Sequence, residues 1–198
     1  KLKQDTDIAF VTYDNNHNIE RNITWKCYIK TAEIFAQFLD QDVVENRNHK
    51  NVAIHSTNCP EWFYCALGTI ISGRHFAGIY HTNSDEQCIH IIEKGDCDIL
   101  VVENVELFVS RYRSVLDKLK NITVVILDYN GEELDHEYYD LRMISFDTIM
   151  DIHQEELLLA NQYAELEDSA REIIITPIKI PEIPETTITE NFAEPLKE

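Results

Sequence analysis

The sequence predicts an α/β fold: a mostly parallel sheet with helices on both faces, followed by an acidic tail that contains proline. Three observations predict it. Short, continuous Val/Ile-rich runs recur between residues 51 and 127, as parallel strands buried on both faces require. Segments with helical spacing alternate with those runs, which points to crossover connections within a layered sheet. The excess negative charge sits outside this stretch: residues 132–172 carry a net −11 of the chain's −19.

The elements follow in order. Residues 1–23 read as an extended, strand-like lead-in. Thr24 is a candidate N-cap, and Tyr28, Ala32, Phe35, Ala36 and Leu39 lie at helical spacing in Trp25–Leu39. Asp40–Lys50 is polar and reads as a loop. Asn51–His55 is an apolar strand. Asn58 and Cys59 precede Pro60, a good first helical residue, so Glu61–Ser72 is predicted as a buried helix stopped by Gly73. Phe76–Tyr80 is a second strand. Ser84 and Gln87 have capping-box spacing and open a helix through Lys94, closed by Gly95. Asp98–Glu103 is a third strand, Val105–Leu119 an amphipathic helix and Asn121–Leu127 a fourth strand. Met143–Met150 reads as a short strand followed by a turn or helix. Residues 151–198 read as an acidic, helix-prone segment (Ile152–Ala170) and then an extended or disordered tail. That tail holds Pro177, Pro181, Pro184 and Pro195, a density that excludes helix and central strand alike.

Composition narrows the function. The chain has 198 residues with 36 Asp plus Glu against 17 Lys plus Arg. Nucleic-acid binding needs a basic face to neutralise phosphates, so that class is not expected. No apolar run is long enough to span a bilayer, so no transmembrane segment is expected, and no signal peptide is visible. The two Asn-x-Thr triplets, at Asn22 and Asn121, are therefore read as unglycosylated. Cys27, Cys59, Cys65, Cys88 and Cys97 are odd in number and show no CxxC spacing, and they read as reduced, core-like thiols in a cytoplasmic protein.

Motifs for chemistry are sparse. Neither GxGxxG nor GxxxxGK[ST] occurs, and only five glycines are present. Gly68, Gly73 and Gly78 read as close packing and a helix stop rather than as a phosphate loop. Neither HxH nor HExxH spacing is found among the eight histidines, which include His55, His75, His81 and His90, so no metal ligands are assigned. In parallel sheets ligands bind at the carboxyl ends of strands, which makes His55–Asn58, His81–Ser84 and Asn104 the candidate site loops. There His55 and His81 read as loop histidines that can line a cleft. The cluster Glu132, Glu133, Asp135, Glu137 and Asp140 reads as a solvated loop.

One stretch is more specific. The pieces VAI, then Asn58 through Phe63 (NCPEWF), ALGTIISG, AGIYHTNS and ILVVEN follow in this order within residues 51–104. Ahead of them stands ITWKCY, and behind them LDKL and VVIL. This run resembles the N-terminal region of long-chain-fatty-acid–CoA ligases of the bubblegum type, in the adenylate-forming, AMP-binding superfamily. The resemblance covers about residues 20–150. It implies that 24–150 is part of the AMP-binding N-terminal subdomain. It further implies a family reaction in which ATP, with magnesium, activates a fatty acid to an acyl-adenylate and coenzyme A then takes the acyl group. Family members work in the cytoplasm and at endoplasmic reticulum membranes.

The departures matter as much. Where the family carries a Ser/Thr/Gly-rich phosphate loop, this chain reads AREIIITPIKIPEIPE, without glycine. The family's later catalytic motifs are absent as well. No catalytic, cofactor-binding or metal residue is therefore carried over, and Asn58, Pro60, Glu61 and Trp62 read as helix start and packing. The expectation is a truncated or degenerate ligase, inactive alone, that needs no cofactor of its own. The alternative is a non-catalytic interaction protein whose acidic segment 132–198 binds a basic partner or an intact synthetase. A fatty-acid or acyl-CoA binding module is a weaker third reading, since coenzyme A phosphates would meet a negative surface.

Overall fold

The computed structural model describes residues 6–14, 16–41, 49–131, 138 and 140–153. The acidic cluster at 132–137 and the proline-containing tail lie outside these residues, as does most of the predicted helix-prone segment 152–170.

The lead-in is a hairpin. Strands β1 (Ile8–Tyr13) and β2 (Ile19–Thr24) pair antiparallel, with Tyr13 opposite Ile19 and Ile8 opposite Thr24. The Asp14 carboxylate organises the turn by accepting the N–H groups of Asn16 and Asn18, both at 2.8 Å. Thr24 ends β2 and caps helix α1 (Trp25–Asp40), its hydroxyl accepting the Cys27 N–H at 3.2 Å.

A five-stranded sheet follows. Its strands are β3 (Asn51–His55), β4 (Phe76–Gly78), β5 (Cys97–Asn104), β6 (Thr123–Asp128) and β7 (Arg142–Ser145). The order is β4-β3-β5-β6-β7 and every pairing is parallel. Helix α2 (Pro60–Ile71) links β3 to β4, α3 (Asp85–Lys94) links β4 to β5, and α4 (Val105–Tyr112) leads toward β6. Residues 146–153 form α5 directly after β7.

Side chains alternate across this sheet. Val52, Ile54, Ile99, Val101 and Val125 pack on one face with α1, α2 and α5. Ala53, Leu100, Val102, Val124 and Ile126 pack on the other with α3 and α4. Each of these strand residues is at most 2% exposed, so apolar surface is removed from water on both sides. Each large aliphatic side chain buried in this way contributes about 1.5–3 kcal/mol.

Several boundaries differ from the sequence expectation. Helix α2 begins one residue earlier than expected, at Pro60, with Cys59 as N-cap making no side-chain cap bond. Strand β4 ends at Gly78 as an edge strand with only β3 to pair with, and the Ile79 N–H makes one further bond to the Ile54 carbonyl at 2.8 Å. The capping box of Ser84 and Gln87 is formed. Gly95, however, stays right-handed (φ −77°), and Asp96 takes the left-handed turn instead (φ 47°). The helix expected over Val105–Leu119 breaks after Tyr112. Arg113–Leu119 forms tighter 3-10 turns with a non-helical Val115 (φ −131°). That break lets the Ser114 hydroxyl donate to Asp85 of α3 at 3.1 Å while Leu119 stays fully buried.

Two glycines do the work read from the sequence. Gly73 takes the left-handed conformation that ends α2 (φ 74°). A Cβ on Gly68 would stand 2.5 Å from the Ala32 carbonyl oxygen and 3.0 Å from Phe35 Cβ, so α1 and α2 touch through it. Gly68→Ala is therefore expected to lower stability by about 1–3 kcal/mol through overpacking, read as a lower urea midpoint with an unchanged slope.

Candidate functional site

The strand order reverses between β3 and β5, and a crevice opens at their carboxyl ends. A cavity of about 420 Å³ lies there. Glu20 and Arg21 of β2 line it from the hairpin; Thr57, Glu61, Glu103 and Asp128 line it from the sheet side. Four carboxylates thus face one guanidinium. Arg21 is already engaged, donating from Nη1 to Glu61 Oε1 at 2.8 Å. Glu61 comes from the first turn of α2, so this ion pair fastens the hairpin onto the helix start.

Glu103 ties two loops together. Its Oε2 accepts the Thr57 N–H at 2.7 Å, which holds the loop after β3. The same oxygen stands 3.8 Å from His81 Nε2, in the loop after β4. Arg111 of α4 fixes that second loop by donating from Nη2 to the His81 carbonyl at 2.8 Å.

Beneath His81 lies His55, the last residue of β3, which is 0% exposed. The two imidazole centres are 5.2 Å apart. His55 Nδ1 is 2.8 Å from the Tyr112 hydroxyl of α4. Burial pushes the His55 pKa down to about 4, helped by the neighbouring His81 ring and the Arg111 guanidinium and opposed by Glu103.

The structure therefore brings together His55 and His81, which the sequence could place only in two separate loops. The third candidate, Asn104, serves α4 instead, its side chain accepting the Leu107 N–H at 2.8 Å. Pro60 is buried in the first turn of α2 and Trp62 packs edge-on against Phe63 and Phe76, but Glu61, read from the sequence as helix start and packing, lines the cavity and pairs with Arg21. Glu103, Arg111 and Tyr112 were missed by sequence reasoning. The one available signal was a carboxylate at the carboxyl end of an apolar strand run. Four thiols are raised by burial, Cys97 to about 11 and Cys59, Cys65 and Cys88 in the same direction. Those four are protonated at neutral pH, as buried thiols should be, whereas Cys27, in the first turn of α1, is exposed and departs from the core-like reading.

A parallel sheet wound in both directions from a central strand, with a carboxyl-end crevice, defines a doubly wound α/β subdomain. The comparisons make this particular. The profile of the family of AMP-binding enzymes matches residues 2–164, and the chain belongs to that family. It is 30% identical over 140 residues to the long-chain-fatty-acid–CoA ligase heimdall of Drosophila melanogaster, covering 69% of this chain and 20% of that protein. It is 37% identical over 109 residues to the long-chain-fatty-acid–CoA ligase ACSBG2 of Gallus gallus, covering 55% of this chain and 13% of that one. Among solved structures it resembles an acyl-CoA synthetase of Brucella canis, with a TM-score of 0.56 and 14% identity, over 75% of this chain and 25% of the other. The matched region is thus about a fifth of the length of the first of these relatives, or less.

The buried imidazole has a consequence for stability. His55 is neutral in the fold, whereas in the unfolded chain it binds a proton below about pH 6.5. Between those values the unfolded state holds more protons, so stability falls as pH drops from about 6.5 to about 4. The loss attributable to His55 approaches about 3 kcal/mol at the lower end. Urea unfolding across this range should show a shallower pH dependence for His55→Leu than for the native sequence.

Proposed function

We propose that this chain is the N-terminal subdomain portion of a long-chain-fatty-acid–CoA ligase of the bubblegum type, and that its 198 residues alone do not activate fatty acids. The first part rests on the family match and on the two ligase relatives. In the intact enzyme the reaction would be formation of an acyl-adenylate from fatty acid and ATP, followed by transfer to coenzyme A. The expected place of work is the cytoplasm, in association with endoplasmic reticulum membranes as in the family. Among the described residues no helix is long and apolar enough to cross a membrane.

The second part rests on the crevice. Glu20, Glu61, Glu103 and Asp128 would repel a triphosphate, and the one guanidinium lining it is held by Glu61. The only glycine after Gly95 is Gly131, so the sequence contains no glycine-rich loop to cradle phosphates. The residues present thus do not fit ATP by themselves, and no catalytic step is assigned to them.

ATP–pyrophosphate exchange with palmitate tests this reading. The purified chain is expected to show no exchange above a control without fatty acid. Exchange that depends on palmitate would overturn it.

A further inference from the structure

The two helical faces of the sheet are built differently, and the crevice accounts for neither. We propose, building on the ligase reading, that the side formed by the β1–β2 hairpin, α1 and α2 is a docking surface. Its partner is the body of a fatty-acid ligase, the part of such an enzyme that lies beyond the region this chain matches.

The contrast between the faces carries the argument. Among the described residues every exposed position of α3 and α4 is polar: Glu86, Gln87, His90, Glu93 and Lys94 on the first, Glu106 and Ser110 on the second. Helix α2 covers the opposite face, and its only exposed residues are Ile70 and Ile71, at 57% and 46%. They end a stripe. Phe63 and Leu67 stand on the same side of the helix one and two turns earlier, half-buried. Phe63 in turn stacks on Phe10 of β1, with ring centres 5.1 Å apart. The single charge of α2 is Glu61, which is paired with Arg21. A helix that is apolar all round belongs in an interior. Its neighbours continue the pattern: the hairpin exposes Val11 and Tyr13, and α1 exposes Ile29. Of the nine large apolar side chains exposed among the described residues, seven lie on the hairpin, α1 and α2, and none on α3 or α4. Apolar exposure sorted in this way to one side marks an interaction surface.

Charge and length select the occupant. Residues 8–40 and 60–71 carry five acids and three bases, so they hold only −2 of the chain's −19. A second copy would bring a further −19 to the contact, and an anionic lipid surface would meet the same repulsion. The matched region is 20% of the length of the heimdall ligase and 25% of the Brucella canis synthetase. Most of such an enzyme therefore lies beyond this region, and the apolar side can receive it without stranding charge. Permanent contacts of that kind resemble a domain core cut in half.

Co-expression tests the contact. The untagged 198-residue chain is produced together with a tagged heimdall ligase from which the matched fifth of its length has been deleted. The expected result is a one-to-one complex on affinity capture, weakened about 10-fold or more by Ile70→Lys and by Ile71→Lys. Both positions are exposed and lie in the last turn of α2, where a lysine suits the helix dipole, so both variants should keep the native circular dichroism. His90→Lys, on the polar face, should bind as the native chain does. Sedimentation of the chain alone should give a monomer, and the chain should not float with phosphatidylcholine–phosphatidylserine vesicles. No complex, unchanged affinity in both folded lysine variants, or an equal loss with His90→Lys would each overturn the proposal. So would a dimer of the chain, or vesicle binding, that Ile70→Lys and Ile71→Lys abolish. Pyrophosphate exchange by the chain alone is read separately: a missing complex leaves the ligase reading standing, whereas palmitate-dependent exchange overturns that reading whether or not the complex forms.

Discussion

The structure depends on the burial of β3, β5 and β6 on both of their faces. Ile54, Ile99, Leu100, Val101, Val102, Val124 and Val125 have no measurable exposure. Strands this apolar cannot leave either face in water, so helices must cover both. With right-handed crossovers, covering both faces requires the chain to wind out in one direction and then in the other. The reversal falls between β3 and β5, and the helices that leave those strands diverge to opposite faces. The crevice is thus a by-product of hydrophobic burial rather than a separate invention.

What fills the crevice is set by the few polar residues that end those strands. Glu103 bonds the loop after β3 and approaches the loop after β4, while Arg111 anchors the second loop from below. His55 is the exception to an apolar strand, a fully buried imidazole held by Tyr112. Its desolvation keeps it uncharged at neutral pH. Across the cavity the Arg21–Glu61 pair fastens the hairpin to α2. The result is a polar, net-acidic cleft in a fold whose relatives bind nucleotides, and that contrast makes the chain's own chemistry worth separating from its family's.

Much of the fold was legible because its signals are local. Thr24 and the Ser84–Gln87 capping box mark helix starts through bonds spanning three residues. Gly73 marks a helix end through its own backbone angle. The misreadings have non-local causes. The amphipathic pattern over Val105–Leu119 continues through a real break, because Ser114 finds a partner on α3 and Leu119 finds the core by a tighter turn. Strand β4 is shorter than its apolar run, as an edge strand with only β3 to pair with. The order of the strands carries no local signal either, since it arises from which edges meet.

By itself the sequence determined the alternation of strands and helices, the helix caps, the family and the absence of a glycine-rich phosphate loop. These depend on hydrophobic period, on backbone preferences of single residues and on short ordered motifs. Only the tertiary structure decided that His55, His81 and Glu103 meet. His55 ends β3, Glu103 stands near the end of β5 and His81 lies in the loop after β4, and the parallel pairing of β4, β3 and β5 puts those strand ends side by side. Contact between residues far apart in sequence comes from packing, which no local spacing encodes.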